Sequence, residues 1–155
     1  MGNLIWHEYS RFVSITASVY AVWASFFGLI YRKFFWDFVG GTLRDPGGIQ
    51  PAPGAALFIT LIVKAPVVPI ISMVLGMAIL AIELPAPMVK QLSIYRSLPL
   101  RVILLLFQVF FTILFYQGTN AAIWSLIAAG CYIRAISLGE VMEEAKANRG
   151  KGGEV

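Results

Sequence analysis

The chain has 155 residues, of which 59% are hydrophobic and only 13% charged, with a formal net charge of +4 and a mean hydropathy of +0.79. A soluble globular domain carries about 25% charged residues, so the composition excludes an ordinary soluble enzyme and indicates an all-α integral membrane protein. The basic residues sit beside apolar tracts, where they act as topology signals and lipid head-group contacts and not as a nucleic-acid footprint.

Two single residues narrow the chemistry further. The one cysteine, Cys131, cannot form an internal disulfide or a CxxC redox pair. The one histidine, His7, cannot supply the two axial ligands of a bis-histidine haem. No cluster of Cys, His, Asp or Glu has metal-ligand spacing. The sequence therefore offers no catalytic, cofactor-binding or metal-binding set.

The start, Met1-Gly2-Asn3-Leu4-Ile5-Trp6, lacks the basic region and small-residue cleavage site of a signal peptide. It also lacks the Ser or Thr that accompanies myristoylation. Residues 3–11 predict a short amphipathic lead-in, with Trp6 and Tyr9 as interface anchors. Span one is predicted over 12–31. Its small residues Ser14, Ser18, Ala21, Ser25 and Gly28 recur at steps of four and three, which places them on one helical face. Such a stripe lets another helix approach closely; an Ala/Ser-rich helix produces one by chance as well.

Charge and aromatic rings mix from Arg32 to Phe38, as at a membrane–water boundary. Residues 40–54, with Asp45-Pro46-Gly47-Gly48, predict a loop. In 55–83, Pro66 and Pro69 break the apolar pattern. The reading is an extra short interfacial or re-entrant helix at 55–65, then span two over 67–83, with one long kinked span as the alternative. Lys64 is expected to snorkel to head groups. A polar connector with Lys90 and Arg96 leads to span three, 100–116. Its polar groups Arg101, Gln108 and Thr112 share a face at steps of seven and four. Gln117 to Asn120 form a polar break, and span four follows over 120–138, with Ala121, Ser125 and Ala129 at steps of four. The four-helix transmembrane domain is thus 1–138. Residues 139–155 form a charged, Gly-rich tail, expected to make a helical turn or two from Glu140 and then lose order.

With four spans both termini share a side. That side holds Arg11, Lys90, Arg96, Arg134, Lys146, Arg149 and Lys151, with Arg101 at its border; the other holds Arg32, Lys33 and Arg44. The balance puts both termini in the cytoplasm. Glu83 closes span two and Arg101 opens span three, so an antiparallel hairpin brings them together. A lone charge at that depth costs a few kcal/mol on insertion scales, about 3 kcal/mol at the helix centre. An ion pair would satisfy both groups; the alternative is that each reaches water separately.

The same residues carry a family likeness. The Met1-Gly2-Asn3-Leu4-Ile5-Trp6 start, Ile82-Glu83-Leu84-Pro85, Leu100-Arg101-Val102-Ile103-Leu104-Leu105, and the run from Ala129 through Gly130, Cys131, Tyr132 and Arg134 to Glu140 follow one another in the family's order. Together they resemble the small membrane subunit, the light or alpha chain, of NADPH oxidase flavocytochrome b, most closely its fungal NoxD-type form. The likeness covers about two thirds of the chain. Residues 41–66 look like an insertion relative to that family. The proline-rich tail of the animal phagocyte form is absent, since Gly139 to Val155 contains no proline, so docking of an SH3 domain through this tail is excluded.

The resemblance implies a non-catalytic subunit. It would form a heterodimer with, and stabilise, a large partner carrying haem and FAD, which makes superoxide from NADPH. The expected setting is the endoplasmic reticulum, with onward passage to the plasma membrane or other endomembranes. Glu83, Arg101, Gln108, Tyr132 and the two small-residue stripes are then the expected structural or partner-binding residues. A four-span scaffold or trafficking protein of the secretory pathway, with no redox partner, is the competing reading. A small enzyme or transporter using Glu83, Arg101 and Lys64 is disfavoured, because transport folds show internal repeats and none is visible.

Overall fold

The computed structural model describes residues 4–32, 53–84 and 93–142. The regular elements there are all helical. Helix α1 is Trp6–Tyr31, 26 residues. Helix α2, Pro53–Lys64, is mixed: a 3-10 turn Pro53–Ala55, an α turn Ala56–Ile59 and a π turn Thr60–Lys64. Helix α3 is Val67–Glu83, α4 is Leu98–Ile113 and α5 is Thr119–Ser137. The Met1–Asn3 start, the loop up to residue 52, the connector with Lys90 and the tail beyond residue 142 lie outside the described residues.

Local chemistry explains most boundaries. The chain bends by 68° between α2 and α3, at Ala65, which is extended, and Pro66, which has left the helical region. Pro69 sits in the first turn of α3, where its missing N–H has no intrahelical partner to lose. Ser97 caps α4, its hydroxyl accepting from the Leu100 N–H at 3.3 Å. Only glycine fits at 118, where a Cβ would overlap the Thr112 carbonyl; this lets the α4–α5 hairpin close over the buried ring of Phe115.

Three boundaries differ from the sequence reading, one being that the helical turn expected from Glu140 is absent over residues 140–142. The predicted lead-in over 3–11 is not separate: α1 runs unbroken from Trp6 through span one. The polar break predicted at Gln117 to Asn120 falls earlier, and α5 already begins at Thr119, preceded by the 3-10 turn Tyr116–Gly118. Thr119 tightens this entry by donating its hydroxyl to the Tyr116 carbonyl at 2.9 Å.

Helices α1 and α4 lie on opposite corners of a bundle and each packs against both α3 and α5. Neighbours run antiparallel, so the start of α1, the end of α3, the start of α4 and the end of α5 share one end. The bundle interior mixes two apolar clusters with polar side chains, and its outer surface is strongly apolar. Its buried set includes Ser10, Ser14, Ser18, Ser25, Ser72, Gln108, Thr112 and Ser125, together with Glu83 and Arg101. Its outer surface carries Trp23, Phe26, Val74, Met77, Phe107, Phe110, Leu126 and Ile133, each exposed. The small interior residues are what let the helices approach. At Gly76 an added Cβ would lie 3.0 Å from Val22 Cγ2 and 3.3 Å from the Ser18 carbonyl.

Among the described residues, α1 is the one helix that by itself is long and apolar enough to cross a membrane; α2 and α3 meet that test only as a bent pair. Helix α4 is apolar but has 16 residues, about 24 Å at 1.5 Å per residue.

Candidate functional site

At the shared end of the bundle the four long helices meet in a polar knot. Glu83 is the last residue of α3, Arg101 lies in the first turn of α4, and Tyr132 comes from α5. All three are buried, with Glu83 and Tyr132 fully so. Arg101 Nη1 donates to Glu83 Oε2 and to the Tyr132 hydroxyl at 3.1 Å. The Tyr132 hydroxyl in turn donates to Glu83 Oε1 at 2.8 Å. Arg101 Nη2 donates to the Tyr95 carbonyl at 2.8 Å and reaches the Ile82 carbonyl at 3.5 Å. The guanidinium faces the rings of Tyr95 and Tyr132, at 5.4 Å and 5.8 Å from their centroids, a cation–π arrangement. Helix α1 joins through Arg11, whose Nε donates to the Glu83 backbone carbonyl at 2.8 Å.

Two further polar layers lie deeper in the bundle. Gln108 Nε2 donates to Ser125 Oγ at 2.8 Å and approaches Ser18 Oγ at 3.4 Å, so α4, α5 and α1 share one amide. Beyond it, Ser25 Oγ donates to Ser72 Oγ at 2.9 Å, linking α1 to α3. Ser125 and Thr112 also return their hydroxyls to helix carbonyls four residues back, which satisfies them without a partner. The Ser14 hydroxyl is buried without a hydrogen bond.

The start of α1 and the residues just past α5 meet at the same face. Glu140, just past α5, accepts from the backbone N–H groups of Trp6 at 3.0 Å and His7 at 2.8 Å, and its Oε2 lies 2.9 Å from His7 Nδ1. Ile5, at the N-cap position of α1, offers no side-chain cap. A carboxylate from the far end of the chain does that work, and the helix dipole favours it. Partial burial alone would raise the Glu140 carboxyl. The His7 and Trp6 amides and the His7 ring outweigh it and hold the group below its ordinary range.

The structure thus brings Glu83 and Arg101 into contact and adds Tyr132 to them. Gln108 is the centre of a separate layer. Ser14, Ser18, Ala21, Ser25 and Gly28 all lie on the buried face of α1. Ala121, Ser125 and Ala129 lie on the buried face of α5. Both stripes are therefore spent on packing this chain's own helices, and none of these residues is on the outer surface. Lys64 is exposed and away from the knot; its carbonyl accepts from Arg32 Nη1 at 3.5 Å.

Sequence reasoning missed Arg11, Tyr95, Ser72 and Glu140 as members of these networks. Arg11 registers only as a topology signal, and Ser72 lies in a helix without an obvious stripe. Chemically, the knot holds four segments in register. Both Glu83 oxygens accept hydrogen bonds from within the knot, one from Arg101 and one from Tyr132.

Fold and site together define a small all-helical bundle with a membrane-spanning candidate, locked at one end by an internal ion pair. The chain belongs to the DUF7727 family, a domain of unknown function, whose profile matches residues 1–140. No curated protein and no solved structure matches the chain.

Proposed function

We propose that the chain is a four-span membrane subunit that binds and stabilises the haem- and FAD-bearing catalytic subunit of a superoxide-producing NADPH oxidase, without catalysing electron transfer itself. Membrane insertion of α1, α3, α4 and α5 is supported by the large apolar side chains that cover the outside, together with the hydroxyl and amide groups that sit among the apolar residues of the interior. Soluble monomers rarely expose contiguous apolar patches beyond a few hundred Å2, about 300–600 Å2. Helix α2 would lie at the interface, ahead of the bend into α3. The shared end with Arg11, Arg96, Arg101 and Arg134 would face the cytoplasm, in the endoplasmic reticulum and the membranes supplied from it.

The observation that carries the reading is the knot of Glu83, Arg101 and Tyr132. The motifs on which the family likeness rests supply its three members, and they converge from three helices. With the interior stripes used internally, the outward apolar faces are what remains for a catalytic partner. Deleting the gene should remove the haem absorbance of the partner from membranes and abolish superoxide output. Unchanged haem absorbance and superoxide would instead favour the scaffold of the secretory pathway.

A further inference from the structure

Helix α5 stops at Ser137, and the residues after it turn back across the end of the bundle. Gly139 takes a φ of 69°, a left-handed conformation that glycine adopts without a Cβ penalty. Its N–H donates to the Ile136 carbonyl at 3.0 Å, and the Glu140 N–H donates to the Ala135 carbonyl at 3.1 Å, the bond pattern of a Schellman helix end. This turn delivers Glu140 to the first amides of α1. It also delivers Met142 to the apolar cluster that contains Val13, Leu98 and Tyr132. Two hollows flank the segment, one of about 130 Å3 walled by Arg101 and Tyr132 of the knot, the other of about 220 Å3 walled by Arg96 and Ile136. Leu98 and Met142 line both. Leu98 is fixed in α4, so Met142 is the part of that partition free to move.

We propose that residues 139–142 form a latch over the knot, hinged at Gly139, pinned by Glu140 and plugged by Met142, which opens as a unit while the bundle stays folded. The attachments favour local opening. Residues 140–142 are partly buried and lie outside any helix. The hydrogen bonds that fasten them to α1 all end on the one Glu140 carboxylate. Each long helix of the bundle, by contrast, is packed against two neighbours. Segments with few buried contacts open at a lower free energy than the body of a fold. Withdrawing Met142 joins the two hollows into one groove that reaches Arg101 and Tyr132. Shut, the latch limits water at the ion pair, whose attraction is stronger in a low dielectric. Open, it lets water or a partner segment touch the knot. The inference rests on the fold of this end and on no redox partner.

The test uses the full-length protein in neutral detergent, with Cys131→Ala removing the native thiol. One reporter cysteine is added at a time: Leu98→Cys at the wall of the groove, or Ala128→Cys deep in the bundle, both positions buried. Labelling by a small water-soluble maleimide is timed under native conditions. Glu140→Gln should speed labelling at position 98 about tenfold, as for loss of a charge-assisted tie, and leave position 128 unchanged. Gly139→Ala, which forces a Cβ into the left-handed region, should speed position 98 about fivefold. Arg134→Gln, an exposed change on α5 outside the latch, should alter neither rate. If Leu98→Cys fails to fold, Met142→Cys on the latch itself replaces it as reporter, with the same acceleration expected from Glu140→Gln. Equal acceleration at 98 and 128 would mean that the whole bundle opens. No acceleration at 98 or 142 would mean that Glu140 pins nothing. Either result overturns the inference.

Discussion

Tyr132 and Glu83 are 49 residues apart in the chain, yet the tyrosine hydroxyl donates to the carboxylate at 2.8 Å in the bundle interior. Arg101 contacts both partners, so α3, α4 and α5 are tied at one point. The whole group is shielded from solvent, and removing any member leaves polar atoms of the others without a counterpart.

Arg101→Gln is therefore expected to destabilise the protein by about 3–5 kcal/mol, the usual cost of stranding one member of a buried ion pair. Glu83→Val should cost as much. The double variant Glu83→Val/Arg101→Gln should recover a large part of the loss, because no charge is stranded. Unfolding midpoints in detergent measure this coupling; strictly additive losses would show that the two residues act independently.

Gln108→Leu should be much milder. Ser125 keeps its bond to the Ala121 carbonyl, and interhelical hydrogen bonds in membrane proteins average about 0.6 kcal/mol with a maximum near 1.7 kcal/mol. Unfolding measurements that rank Gln108→Leu as damaging as Arg101→Gln would contradict the separation into a locking end and a weaker middle layer.

Gly76 and Gly130 form a contrasting pair. A Cβ at Gly76 meets Val22 and the Ser18 carbonyl, whereas one at Gly130 meets nothing within 4 Å. Gly76→Ala should destabilise by about 1–3 kcal/mol through overpacking of α1 against α3. Gly130→Ala should be neutral or stabilise by up to about 1 kcal/mol from helix propensity. Parallel thermal melts decide between these signs.

The Glu140 cap supplies a pH dependence. Its carboxyl is held below the reference value of 4.5, so its contribution to stability is present above that value. It is lost as pH falls through the lower folded-state pKa. Hydrogen exchange at the first turn of α1 should be slow at neutral pH and accelerate in acid. Glu140→Gln should show fast exchange there at neutral pH as well. Unaltered exchange in the variant would mean that the clasp does not hold the helix start.

The residues that follow a period were legible in the sequence, and those that depend on bundle register were not. Steps of three and four place Ser14, Ser18, Ala21, Ser25 and Gly28 on one face whatever that face meets. A hairpin with Glu83 before it and Arg101 just inside it predicts their meeting. By contrast, nothing near Trp6 marks a helix start, because the cap is Glu140, 134 positions away. Arg11 reaches the Glu83 carbonyl across 72 positions, and Ser25 reaches Ser72 across 47. Such pairings follow from how far α1 is slid along α3 and α5, which hydrophobic periodicity leaves free. The turn between α4 and α5 moved for a related reason. Phe115 is drawn into the core beside Gly28, which ends α4 before the polar residues that would otherwise mark the break.

The measurement that tests the central claim most directly is affinity capture of the full-length chain from its native membranes in mild detergent, with an absorption spectrum of the eluate. The account predicts a haem spectrum that co-elutes with wild-type protein and is diminished with Arg101→Gln or Glu83→Val. An eluate without haem absorbance, from wild-type protein that is folded and abundant, would contradict it.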